Sequence, residues 1–292
     1  MDRKDFLKSL AFIPFGVAAM KLNEFKNITD DFKNTSKMPA LFIGHGSPMN
    51  ALYDNSFTRP LNALGKSLPE KPKAILVVSA HWLTKDTHVL VSSKPRTIHD
   101  FGGFPKELFD MEYPAPGAPD IAKETKNMIN STKVIEDSAW GLDHGAWTIL
   151  KHLFPDADVP VFQLSIDYAK APEYHYNLAQ ELKALRKKGV LIIGSGNIVH
   201  NLYNIDFDTN AKPFEWAVEF DSIVKSKLEH RQFADLMNYT NLGKSAMMAV
   251  PTNDHYLPMF YTLGLSDKDE ELKFTFEEIQ NGSISMRCFE LS

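Results

Sequence analysis

The sequence predicts an α/β protein built on a mostly parallel sheet, and three observations carry the prediction. Ile75-Leu76-Val77-Val78 is a continuous apolar, β-branched-rich run, the pattern of a strand buried on both faces between layers of helix. Pro39 to Gly44 and Val190 to Gly194 repeat that pattern. From Pro172 to Lys188, residues Tyr174, Leu178, Leu182 and Leu185 share one helical face, Gly189 stops the run, and the Val190 strand follows at once. Strand, helix and strand with short links make the βαβ unit of a parallel sheet.

The elements follow in order. Residues 1–37 read as a leader and linker, and residues 38–292 as a single domain. Arg3-Lys4-Asp5-Phe6-Leu7-Lys8 resembles the core of a twin-arginine export signal, with lysine in place of the second arginine. The apolar run Leu10 to Met20 is too short to span a bilayer, and Val17-Ala18-Ala19 offers the small residues a signal peptidase needs. The expectation is a periplasmic protein, or a cytoplasmic one if the leader is retained, with no integral membrane segment after processing. Phe57 to Leu68 reads as a helix, as does the stretch from Pro119, where Ile121, Met128 and Ile129 form the stripe expected to be buried. Thr87 to Ser92 and Val159 to Ile166 read as strands. Asp143 is placed to cap a helix carrying Trp147, Leu150 and Phe154. Pro213 to Leu228 is expected to be a helix with Trp216, Phe220, Ile223 and Val224 inward, and His230 to Leu242 to be helical and partly exposed. Leu272 to Ile279 and Ser283 to Leu291 flank Asn281-Gly282, a strong hairpin signal that adds antiparallel strands.

Composition narrows the function. A net charge of −5 argues against nucleic acid or an anionic membrane as the main partner. The single cysteine, Cys288, excludes an intramolecular disulfide and a thiolate metal cluster, so any metal must be held by His, Asp or Glu. Ten histidines are available. His45, His81 and His200 each follow an apolar strand through small residues, and His255 sits in a turn that enters an apolar helix. Ligands bind beyond the carboxyl ends of strands in open α/β sheets. Imidazole suits Fe(II) and Zn(II), and a catalytic metal needs about three protein ligands and an open position. Singly, each histidine is more readily a packing residue; jointly they describe a metal site with a spare histidine for proton transfer. His88, His152 and His230 are assigned to packing or surface, and His175 lies within a helix without a clear role.

A family resemblance now enters. Gly44-His45-Gly46-Ser47-Pro48-Met49-Asn50, Ser79-Ala80-His81-Trp82, His99-Asp100-Phe101-Gly102-Gly103-Phe104, Tyr113-Pro114-Ala115-Pro116-Gly117, Gly141-Leu142-Asp143-His144-Gly145, Gly194-Ser195-Gly196-Asn197-Ile198-Val199-His200 and His255-Tyr256-Leu257-Pro258 resemble, in order, the DODA-type class III extradiol ring-cleavage dioxygenases. The resemblance covers residue 38 to the C-terminus. It implies a three-layer α/β/α sandwich with a mostly parallel, mixed central sheet. It further implies one divalent metal per chain, Fe(II) for dioxygenase activity with Zn(II) also seen in this branch, and O2 as co-substrate. The substrate it implies is a small catechol, DOPA-like or otherwise substituted, opened to a muconic semialdehyde. By motif match His45, His81 and His255 are metal ligands. His200 is the base that also approaches the metal, and His144 a residue that hydrogen-bonds substrate or oxygen. His99, Phe101 and Phe104 are candidate substrate contacts, and Trp82 a candidate ring wall that is equally at home in a core. Aromatic-acid members of the wider superfamily complete their metal site with glutamate; here the turn offers Asp254 and His255 side by side. The Gly-rich loops are expected to let backbone approach the substrate. The competing reading is a zinc hydrolase of an ester or amide using the same histidines.

Overall fold

The structure is a computed structural model, and it describes residues 36–292. The leader expectation falls outside the described residues. Six strands form one mixed sheet: β1 (Ala40–Gly44), β2 (Ala74–Ser79), β3 (Val161–Gln163), β4 (Val190–Gly196), β5 (Leu272–Phe276) and β6 (Cys288–Leu291). Their order across the sheet is β3-β2-β4-β1-β6-β5. The four at one side run parallel, and β6 and β5 are antiparallel additions. Every residue of β1, β2 and β4 is buried, which is why these strands are apolar without alternation.

Side chains leave a strand alternately to its two faces, and two separate cores result. Phe42, Leu76, Val78 and Ile192 pack with Leu178 of α3 (Pro172–Glu181), Phe220 and Val224 of α4 (Glu215–Glu229), and Phe260 and Leu263 of α5 (Pro258–Gly264). Leu41, Ile43, Ile75, Val77 and Ile193 pack with Leu61 and Leu64 of α1 (Thr58–Ser67), and with Trp147 and Leu150 of α2 (His144–Leu153). Helices thus cover both faces, giving the three layers expected. Among the described residues no helix is long and apolar enough to cross a membrane.

The local expectations are refined at several points. The helix expected over Pro172 to Lys188 breaks at Leu182, and Lys183–Lys187 forms a separate short helix. The helix from Pro119 ends at Met128; Ile129, just past its end, is buried as expected, Ile121 and Met128 are half-buried against the same core, and Ala122 and Thr125 are buried beside them. The Thr87 strand pairs with Val134–Asp137 outside the main sheet, and Ile166–Asp167 leaves β3 to pair with Leu83–Thr84. His230 to Leu242 resolves into Phe233–Met237 and a single turn at Tyr239–Asn241. Asn281 and Gly282, with φ of 53° and 70°, turn the Ile279–Gln280/Ile284–Ser285 hairpin, whose register leaves three residues, Asn281 to Ser283, between the strands; Asn and Gly are the residues that tolerate paired positive values.

At the end of the sheet away from the histidines, Arg186 is fully buried. It donates to Met38 O (2.7 Å), Leu265 O (2.9 Å) and Leu291 O (2.9 Å), and grips Glu270 through both guanidinium nitrogens. One side chain therefore ties the entry to β1, the end of α5 and the last strand. Arg186→Ala strips three carbonyls and a carboxylate of their partner at once. Breaking a buried pair from one side costs about 3–5 kcal/mol. The expected result is a loss of that order in urea unfolding, with an unchanged slope and the site chemistry intact in the folded fraction. A loss under about 1 kcal/mol, the range of exposed pairs, would contradict this role.

Candidate metal centre

Sheet register decides where the histidines arrive. Ile43 of β1 and Ser79 of β2 both lie opposite Ser195 of β4. The His45 amide donates to Gly196 O (3.1 Å) and the Ala80 amide to Ser195 O (3.0 Å), so both chains leave the sheet at one level. His45 and His81 follow immediately, with their Nε2 atoms 3.1 Å apart. His255 comes from the turn before α5, held where the Asn197 amide donates to His255 O (2.8 Å). A Cβ on Gly196 would stand 2.2 Å from His255 O, and one on Gly194 would stand 2.4 Å from Pro258 O. This corrects one expectation. The glycines of the β4 exit admit the protein's own His255 turn, not the substrate.

One nitrogen each from His45, His81 and His255 lies within 4.8 Å of the others. Their protons can be placed. Ser195 Oγ donates its one hydrogen to Gly145 O (2.5 Å), so toward His45 Nδ1, 3.0 Å away, the serine can only accept. His45 therefore carries its proton on Nδ1 and turns a bare Nε2 inward. His255 Nδ1 faces Asp254 Oδ2 at 2.5 Å, with the same consequence. His81 Nδ1 makes a longer contact, 3.4 Å, with Asp100 Oδ2. An oxygen behind each ring and a free nitrogen in front is how proteins prepare histidine ligands. Burial, then the neighbouring histidines, holds His45 and His255 well below the usual imidazole range. His81 falls to about 3, first through burial and then through His144. Neutral imidazole is the state that binds metal, so this donor set fits a divalent ion. Asp254 reaches the centre through His255, which answers which of the two neighbours faces the other histidines.

His200 is placed differently. Its ring lies flat on that of His255, with centroids 3.5 Å apart and planes 5° off parallel. It groups with Asp254 and His255, not with His45 and His81. Burial is the main cause drawing its pKa to about 4; Asp254 opposes the shift and His144 adds to it. His144 opens α2, where buried Asp143 caps the helix by accepting from the Ala146 amide (3.2 Å). Asp143 is itself held by Ser79 Oγ (2.5 Å) and Gln163 Nε2 (3.0 Å). The His144 ring lies 3.8 Å from that of His81.

Asp100 was not singled out by sequence reasoning. Its Oδ1 accepts from the His144 amide (2.9 Å) and lies 3.0 Å from His144 Nδ1, while Oδ2 faces His81. Burial pushes its carboxyl up, but the His144 contacts and the His81 charge outweigh that and hold it at about 2. It stands beside His99 in a motif already quoted, yet nothing in the spacing separates the two.

A cavity of about 300 Å³ opens over the histidines; His45, His81, His144, His200 and His255 line it, with Phe101 and Phe104. His99 stands one layer back, its Nε2 at Met111 O (2.9 Å) and its ring against Phe101 and Trp147. Trp82 is buried and stacked on Trp140, a core position. His175 is buried against Tyr261 Oη (3.0 Å), and His152 and His230 meet backbone carbonyls.

Residues 35–287 match the family described as the catalytic LigB subunit of aromatic ring-opening dioxygenase. The chain belongs to that family. It is 43% identical over 263 residues to a protein of Escherichia coli K12 named 4,5-DOPA dioxygenase extradiol, covering 89% of this chain and 96% of that one. A Beta vulgaris protein of the same name is 32% identical over 274 residues, covering 90% and 98%. A crystal structure of an uncharacterized protein from Escherichia coli K12 superposes with a TM-score of 0.77 at 39% identity, over 87% of this chain and all of that one. Membership of this ring-opening dioxygenase family supports an oxygenase enzyme, and the histidine cluster offers it a metal site.

Proposed function

We propose that this protein is an extradiol dioxygenase that inserts both atoms of O2 into the ring of a substituted catechol, leaving a muconic semialdehyde. The observation that carries the reading is the set of three inward-facing imidazole nitrogens at the floor of an open cavity, with two further histidines on its wall. In this reading His45, His81 and His255 hold one divalent metal per chain, Fe(II) for the oxygenase reaction. When bound, such an ion supplies Lewis acidity toward the catechol hydroxyls and, as Fe(II), the means to pass electrons to O2. His200 accepts the second hydroxyl proton. Its pKa is drawn down to about 4, chiefly by burial, so it is neutral at physiological pH, the protonation state a base needs. His144, oriented through its amide by Asp100, donates a hydrogen bond to the substrate or oxygen. Phe101 and Phe104, in edge-to-face contact at 5.4 Å, wall the ring and exclude water. As part of this reading, residues 1–37 carry a twin-arginine-like export signal, with a retained cytoplasmic leader as the alternative, and residues 38–292 form the catalytic domain.

Anaerobic reconstitution with Fe(II), followed by a catechol panel, tests the proposal. The expected result is one O2 consumed per catechol with a yellow semialdehyde chromophore. No uptake with any catechol, alongside zinc-dependent ester or amide hydrolysis, would assign the site to hydrolysis instead.

A further inference from the structure

We infer that Asp100 is a positioning residue serving two rings at once: one carboxylate oxygen anchors His144 at the start of α2, and the other keeps the His81 proton on the nitrogen away from the metal. The inference rests on His81 being a metal ligand and His144 a substrate contact, as read above.

The segment carrying Asp100 is tied to the chain on either side of His144. The Leu142 amide donates to Arg96 O (2.8 Å), the Ile98 amide to Leu142 O (2.7 Å), and Trp147 Nε1 to Ile98 O (3.0 Å). His144 is the first residue of α2, and first-turn amides have no partner within their own helix. Asp143 takes the Ala146 amide, and Asp100 Oδ1 takes the His144 amide at 2.9 Å. The same oxygen lies 3.0 Å from His144 Nδ1, off the straight line of an N–H donor.

Oδ2 is left to face His81 Nδ1, at 3.4 Å. That is longer than an ordinary hydrogen bond, but an ionised carboxylate only accepts, so it favours a proton on the nitrogen opposite. His81 then carries its proton on Nδ1 and leaves Nε2, 3.1 Å from His45 Nε2, bare.

Asparagine separates the two services, because it has nearly the same shape but offers one acceptor and one donor group. The His144 amide can only donate, so it claims the oxygen. The NH2 group then faces His81 Nδ1, which must accept, and the His81 proton moves to Nε2, where it obstructs a metal. Alanine removes both services.

The test uses both variants. Zn(II) dissociation constants come from competition with a chromogenic chelator, and the His81 tautomer from nitrogen NMR of the metal-free protein. Asp100→Asn should bind Zn(II) about 10–100-fold more weakly, the range for the outer partner of a ligand, with His81 changed from the Nδ1–H to the Nε2–H form. At saturating Zn(II), anaerobic calorimetry should find unsubstituted catechol bound by Asp100→Asn as by wild type. Asp100→Ala should bind it about fivefold more weakly, the scale of one hydrogen bond. Wild-type Zn(II) affinity in Asp100→Asn, or a loss without the tautomer change, would overturn the service to His81. Equal catechol binding by the two variants would overturn the service to His144. Undiminished Zn(II) affinity in His81→Ala would overturn the ligand reading itself. Wild-type protein that binds Zn(II) but no catechol would overturn the extradiol reading, and the Zn(II) and NMR results would then decide the His81 service alone.

Discussion

Replacing His81 with alanine is expected to abolish tight metal binding while leaving the fold intact. The side chain stands two residues past β2, whose six residues are buried independently of it. It lines the open cavity, so its removal enlarges existing open space instead of leaving a sealed void. What it contributes to the centre is a nitrogen 3.1 Å from His45 Nε2, one of three converging donors. Losing even an outer hydrogen-bond partner of a ligand costs about 10–100-fold in affinity, and losing a ligand costs more. Metal analysis after dialysis should show well under one ion per chain, beside an unchanged far-ultraviolet circular dichroism spectrum and a urea midpoint equal to that of the metal-free wild type. Metal content close to wild type would remove His81 from the ligand set, leaving the Asp254, His255 and His200 grouping as the site.

The parts of this centre that were legible in the sequence share one property: each histidine follows a feature that announces itself locally. His45, His81 and His200 trail uninterrupted apolar runs, because strands buried on both faces need no polar alternation. Asn281-Gly282 announces its hairpin because few other pairs tolerate two positive φ values. Asp100, Ser195 and the service of Asp254 to His255 were not legible. Ser195 lies in a small-residue exit where any serine reads as filler, and only the pairing of β4 with both β1 and β2 shows that its hydroxyl sits behind His45. Asp100 and His99 are neighbours of equal chemical promise, and tertiary packing sends the histidine to Met111 and the acid to His144. The strand Val134–Asp137 was missed because it pairs on one edge only and ends in two acids. The helix break at Leu182 interrupts an apolar face that continues unbroken in sequence, from Leu178 to Leu185.

His200→Ala is expected to keep the metal and lose the reaction. The ring is stacked face to face on that of His255, with centroids 3.5 Å apart. It belongs to a different grouping of potential donors from His45 and His81. Its backbone is fixed separately, by the His200 amide donating to Ala249 O (2.9 Å), so the substitution leaves the chain path in place. A well-placed general base contributes about 10²–10⁴-fold, and kcat should fall on that scale while the Zn(II)-loaded variant still binds catechol. His200→Gln retains hydrogen-bonding capacity but cannot take up a proton at neutral pH, so it should be comparably slow; recovery of most of the rate by glutamine would make the role one of hydrogen bonding alone. Metal titration separates the remaining alternative, in which His200 is a fourth ligand. A loss of metal affinity as large as that of His81→Ala would make His200 a ligand first. The proton acceptor would then be His144, whose amide is held by Asp100 and whose ring lies 3.8 Å from that of His81.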